Sequence, residues 1–175
     1  TADMHTSGLS DFEIFIVFAV ANLAAMLSFF SLEGVMSRLT RIRAIIDSLL
    51  TRGFGYMVIV LTFLVFTGTA LLLANVILYS LTSGIAYALF YTTMNAMVFK
   101  AIGSRNKSYK LGIYSGVTGL GGLIGSLLSG YTSFFVGYLF TFTLAGILTV
   151  LCAYLFLRAS KAGKNASHNG AAIAR

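Results

Sequence analysis

Proline and tryptophan are absent from these 175 residues, cysteine occurs once, and charged residues make up only 10%. A soluble domain carries about a quarter charged residues, so an ordinary soluble enzyme is excluded. A chain with so little charge is not a disordered tail either. The single cysteine, Cys152, cannot form an intrachain disulfide. Inside an apolar run it reads as a small hydrophobe. His5 and His168 have no partner at ligand spacing, so no metal site is expected. No nucleophile, base and orienting group can be assembled, so neither an enzyme nor a cofactor is expected. The chain opens Thr1-Ala2-Asp3, without methionine and without a signal-peptide pattern, which reads as a fragment or a processed chain.

What is present is apolar. Residues of that kind make up 58% of the chain, aromatics 14%, and the mean hydropathy is +0.90. Twelve Lys and Arg stand against five Asp and Glu, a net charge of +7. A nucleic-acid binder would cluster its basic residues with aromatics on one polar face. Here they sit between long apolar runs, as in cytoplasmic loops of membrane proteins. The expected partner is a lipid bilayer, not nucleic acid.

Charge-free runs set the architecture. Nineteen uncharged residues lie between Glu13 and Glu33, 47 between Arg52 and Lys100, and 47 between Lys110 and Arg158. A bilayer core needs about 20 helical residues. The short run makes one crossing, and each long run makes two with a tight turn. Helices are the default, because backbone groups in lipid must be satisfied within the segment. The expected fold is an all-α, polytopic transmembrane bundle of five spans, near 12–32, 53–73, 76–99, 111–134 and 138–157. Residues 1–11 precede it and a disordered tail, 158–175, follows. The first hairpin should turn between Gly68 and Asn75, the second near Val136-Gly137. The second helix can begin earlier, near Arg43, since Ala44, Ile45, Ile46, Leu49 and Leu50 continue a helical pattern. By parity, residues 33–52, 100–110 and 158–175 share one side and hold all twelve positive charges. The positive-inside rule makes that side cytoplasmic, with the N-terminus outside.

Several motifs carry more than one reading. Ser10-Asp11-Phe12-Glu13 has capping-box spacing. Small residues recur every four positions in Gly112/Gly116, Gly121/Gly125/Ser129 and Gly122/Ser126/Gly130. No phosphate-loop spacing is present there, so these are helix-packing positions, either static or at a sliding contact. Among the basic residues, Arg43 and Asp47 have i,i+4 spacing, and Glu33 can pair with Arg41 or Arg43. Asn106-Lys-Ser108 and Asn165-Ala-Ser167 match the glycosylation pattern but fall on the cytoplasmic side. No ionisable residue is expected deep inside a span. The polar candidates are Asn22, Tyr87, Tyr91, Asn95, Ser115 and Thr118, with Thr92 beside them. Each either hydrogen-bonds between helices or lines a polar cavity.

The run Lys110-Leu-Gly112-Ile-Tyr114-Ser115-Gly116, Gly119-Leu-Gly121-Gly122-Leu-Ile124-Gly125-Ser126, Ser129-Gly130-Tyr131 and Val136-Gly137-Tyr138 resembles helix eleven of the major facilitator superfamily and its turn into helix twelve. The segment holding Gly34, Arg38, Arg41 and Arg43 resembles that family's loop between helices eight and nine. There the family has Gly-x-x-x-Asp-Arg-x-Gly-Arg, whereas Arg38 and Leu39 stand at the Asp-Arg positions here. Ser126 stands where many members have proline. The resemblance implies helices eight to twelve of a twelve-helix permease. It implies alternating access for a small solute, with the N-terminal half and a coupling ion as partners outside this chain. A non-transporting membrane scaffold or an oligomeric channel subunit is the alternative.

Overall fold

A computed structural model describes the backbone of residues 10–36, 40–102 and 106–173, and side chains within them except at 11, 32–36 and 161–173. The described residues form five helices: α1 (Asp11–Met36), α2 (Arg41–Val65), α3 (Gly68–Ile102), α4 (Lys107–Phe135) and α5 (Tyr138–Ile173). Each contains a stretch long and apolar enough to cross a membrane. At 1.5 Å per residue, the shortest such stretch, Phe12–Ser31, is about 30 Å long and matches a hydrocarbon core. Large apolar side chains point outward along every helix, Phe30, Leu64, Ile77, Leu127 and Leu155 among them. Such a surface belongs in lipid, and the chain is an integral membrane protein.

Local chemistry starts and stops the helices. At the start of α1, the Ser10 backbone N–H and hydroxyl both donate to Glu13 Oε2, at 2.8 and 2.9 Å, and the Glu13 N–H donates back to Ser10 Oγ. The capping box is formed. Between α2 and α3, Phe66 and Thr67 are extended and Gly68 adopts φ +57°. Glycine takes that left-handed conformation at no steric cost. The turn at Val136-Gly137 falls where the sequence places it, with Gly137 at φ +100°. Lys110 donates from Nζ to the carbonyl of Ile102, capping α3 with a positive charge at its C-terminal end.

In lipid, close contact between helices is what holds them together. On α1 the buried residues are Ile14, Val17, Ala21 and Ala25, one face at helical spacing. That face packs with Ile59 of α2 and Leu71 and Tyr79 of α3. A second cluster joins Ile45 and Leu49 of α2 to Ala153 of α5. At the α2–α5 contact the two backbones approach closely. A Cβ added at Gly146 would lie 3.0 Å from the Gly53 carbonyl oxygen, and one at Gly53 would lie 3.2 Å from the Gly146 oxygen. Partway along α3, residues Ser80–Ile85 form a π-helical turn. Its Gly84 sits against the backbone of Ala21 and Ala25 on α1.

The helix boundaries differ from the sequence reading at three places. The second helix covers Arg41–Val65, with the early start that the pattern from Ala44 to Leu50 allows but ending at Val65, not 73, and the third begins at Gly68, not 76. The apolar run does not mark the break; the left-handed Gly68 does. The last helix runs on to Ile173, through the stretch read as a disordered tail. Proline, the strongest helix breaker, is absent, and the helix passes through Gly163 and Gly170. Arg52, assigned to the basic end, stands inside α2.

Candidate functional site

Helices α1, α2 and α3 line a cavity of about 510 Å³. From α1 come Asn22, Ala25, Met26, Phe29 and Phe30; from α2, Arg52; and from α3, Ser83 and Tyr87. Arg52, Ser83 and Tyr87 come from the middle of their helices, whereas Phe29 and Phe30 lie near the end of the apolar stretch of α1. Any 20-residue crossing drawn within Arg41–Val65 includes Arg52, roughly 9 Å or more from either end. The expectation that no ionisable residue lies deep in a span is therefore corrected. Counting charge-free residues put the boundary at Arg52, but the helix continues through it.

Local neighbours hold Arg52 in place. Its Nη2 donates to the Tyr56 hydroxyl at 3.0 Å, one helical turn along α2. The guanidinium carbon lies 5.3 Å from the centre of the Tyr87 ring and 5.8 Å from that of Tyr56, both within cation–π range. Tyr87 stacks on Tyr91 at 5.8 Å, and Tyr91 meets Phe29 of α1 edge-on at 6.4 Å. Arg52 Nε is buried without an acceptor. Among the described residues no carboxylate pairs with Arg52. An ion pair on α2, Arg43 to Asp47 at 3.7 Å, is exposed and contributes well under ~1 kcal/mol.

Other candidates divide clearly. Asn22 and Tyr87 both line the cavity. Asn22 Nδ2 donates to the Phe18 carbonyl on its own helix at 2.8 Å. Tyr91 reaches the site through the aromatic stack. Asn95 does not; its Oδ1 accepts from the Tyr114 hydroxyl at 3.1 Å and ties α3 to α4. Tyr114→Phe should lower stability by about 0.6 kcal/mol, a fall of about 1–3 °C in the Tm of the purified protein. Ser115 and Thr118 are exposed on α4, and the Thr118 hydroxyl bonds its own helix at Tyr114.

The small-residue stripe is uncovered among the described residues. No residue of α4 is buried. A Cβ at Gly112, Gly116, Gly121, Gly122, Gly125 or Gly130 meets nothing within 4 Å, and Ser126 is exposed. Among the described residues the stripe has no packing partner. Close-approach glycines stand instead at Gly53, Gly55, Gly84 and Gly146. The loop motif is also divided: Gly34 lies in α1, Arg41 and Arg43 begin α2, and Arg38 lies outside the described residues. The side chain of Glu33 is outside them too. Arg41 and Lys100 line a second cavity, of about 590 Å³, between the start of α2 and the end of α3.

Sequence reasoning missed Arg52 and Ser83. The signal for Arg52 was present. A second helix that starts near Arg43 carries Arg52 two and a half turns inward. Ser83 had the weaker signal of Thr82-Ser83-Gly84, small and polar in an apolar run.

No curated protein and no solved structure matches the chain. The family model for the Major Facilitator Superfamily matches residues 2–173, nearly its whole length. With five membrane-spanning helices beneath that match, the chain belongs to the major facilitator superfamily.

Proposed function

We propose that this chain is part of a secondary active transporter that moves a small solute by alternating access, with the α1–α2–α3 cavity on the solute's path. The family consists of transporters, not enzymes. The observation that carries the finer reading is Arg52, a charge in mid-helix beside an open, mainly apolar cavity. Intramembrane charges are costly and are retained mainly along substrate or ion pathways. A scaffold has no need of such a cavity, and its presence disfavours that alternative. Within this reading the chain supplies helices eight to twelve, and the adjoining half and any coupling ion come from outside it. The basic ends of α2, α3 and α4 face the cytoplasm and the N-terminus faces outward, by the positive-inside rule. The glycine stripe of α4, unpartnered here, packs against that adjoining half.

Cysteine accessibility tests this. In the full-length protein with its native cysteines replaced, Cys152 among them, Ser83→Cys is labelled by a membrane-impermeant maleimide applied to sealed vesicles of either orientation. Alternating access predicts labelling from both sides. Reactivity from one side alone, or from neither, would sink the reading.

A further inference from the structure

We infer that the solute of this cavity is an organic anion, whose carboxylate pairs with Arg52 and whose apolar body rests on Met26, Phe29 and Tyr87. The inference rests on the proposed transport path and names the class of solute that path accepts.

Three observations lead to it. First, Arg52 has no carboxylate partner among the described residues, and its Nε–H is buried without an acceptor. A guanidinium cannot shed its proton at neutral pH, so its charge must be met by a counter-charge or by water. Second, the protein contacts it does have leave donors free. The Tyr56 hydroxyl takes one N–H, from Nη2. The faces of Tyr56 and Tyr87 take none, although they favour the cation. A planar five-donor fork held in this way is suited to a carboxylate, which it can bind through two parallel hydrogen bonds. Third, the rest of the wall is apolar or uncharged. Phe29, Phe30 and Met26 make a surface for a hydrocarbon or aromatic body, and Asn22 and Ser83 add neutral hydrogen-bonding groups. Among the described residues no acidic side chain lines the cavity, so none of them would favour a cation there. At about 510 Å³ the space suits a small molecule. Free phosphate would satisfy the arginine but leave the aromatic wall empty.

Benzoate, benzamide and inorganic phosphate are the probes. Each is added to the full-length Ser83→Cys protein in lipid nanodiscs, and the rate of maleimide labelling is followed. Benzoate is expected to slow labelling in a saturable way, and benzamide, the uncharged analogue, is not. With Arg52→Gln added, half-protection should need about 10- to 100-fold more benzoate. Arg52→Lys, which keeps the charge but loses the fork, should fall between. Protection by benzamide as strong as by benzoate overturns the proposal, because charge then plays no part. Equal protection by phosphate overturns the organic part of it. Labelling that benzoate never slows overturns it as well, and assigns Arg52 to a carboxylate elsewhere in the protein. If labelling is two-sided in that last case, alternating access stands and only the solute class falls. One-sided labelling instead removes the transport reading itself. Gel filtration of each variant shows whether it is folded, and Arg52→Lys serves as the second variant if Arg52→Gln is not.

Discussion

Gly146→Leu is expected to separate α5 from α2 and to lower the Tm of the purified protein by about 5–10 °C. The reason is the kind of atom that would be struck. A Cβ at this position would lie 3.0 Å from the carbonyl oxygen of Gly53 and 3.2 Å from Met57 Cγ. The methionine can turn aside, but the carbonyl is part of the α2 backbone. Gly53 faces the same limit from the other helix, where its added Cβ would meet Val150 Cγ2 at 2.6 Å and the Gly146 oxygen at 3.2 Å. The two helices can accept a leucine there only by moving apart. Overpacking of this kind costs about 1–3 kcal/mol, and in a protein of this size each kcal/mol shifts Tm by about 2–4 °C. Gly146→Ala should give a smaller fall, since a displacement of a few tenths of an ångström accommodates it. Thermal unfolding followed by size-exclusion chromatography measures both. A leucine variant as stable as the parent would show that the α2–α5 contact is looser than described. Gly121→Leu on α4 is the comparison, because a side chain there meets nothing within 4 Å. In the isolated chain it should change stability by less than about 0.5 kcal/mol. A large loss from the same substitution in the full-length protein would reveal the surface that covers the glycine stripe.

Gly84→Val should have an effect of similar size, with a second consequence at the cavity. Gly84 lies in the π turn of α3, and an added Cβ would meet the Ala21 carbonyl oxygen at 2.9 Å, Ala24 Cβ at 3.1 Å and the Ala25 nitrogen at 3.3 Å. Again the obstacle is mostly backbone, so α1 and α3 must part. Ser83 and Tyr87 follow the turn, and Ala25 and Met26 line the facing wall. Moving α3 outward therefore changes the cavity as well as the stability. The expected result is a Tm fall of about 5–10 °C together with an altered labelling rate of Ser83→Cys. A fall in Tm with unchanged labelling would mean that the turn holds the helices together without shaping the cavity. π turns are rare and concentrate at functional sites. Here the turn puts a glycine against α1 and the neighbouring serine on the wall of the cavity that Arg52 also lines.

Much of this protein was determined by local chemistry and so was readable in the sequence. The five crossings follow from the lengths of the charge-free runs, because a bilayer admits only helices of about that length. The capping box at Ser10 and Glu13 and the turn at Val136-Gly137 depend on neighbouring residues alone. Asn22 and Tyr87 were candidates because a polar group in an apolar run needs a partner or a cavity, whatever the packing. Three things were decided only by tertiary structure. Arg52 looked like the edge of a span, since charge is the usual marker of that edge. It is internal because α2 starts at Arg41 and ends at Val65; packing with α1 and α3 gives it a cavity and the Tyr87 ring, beside Tyr56 of its own helix. The glycines that bring helices together are isolated ones, Gly53, Gly84 and Gly146, while the repeated ones on α4 face outward in this chain. Spacing shows which glycines share a face, but only the neighbouring helix decides whether that face is used. Asn95, level in sequence with the cavity tyrosines, turns instead to Tyr114 on α4. Periodicity places a residue on its own helix, whereas a site is a relation between helices, and that relation is set by how their surfaces fit.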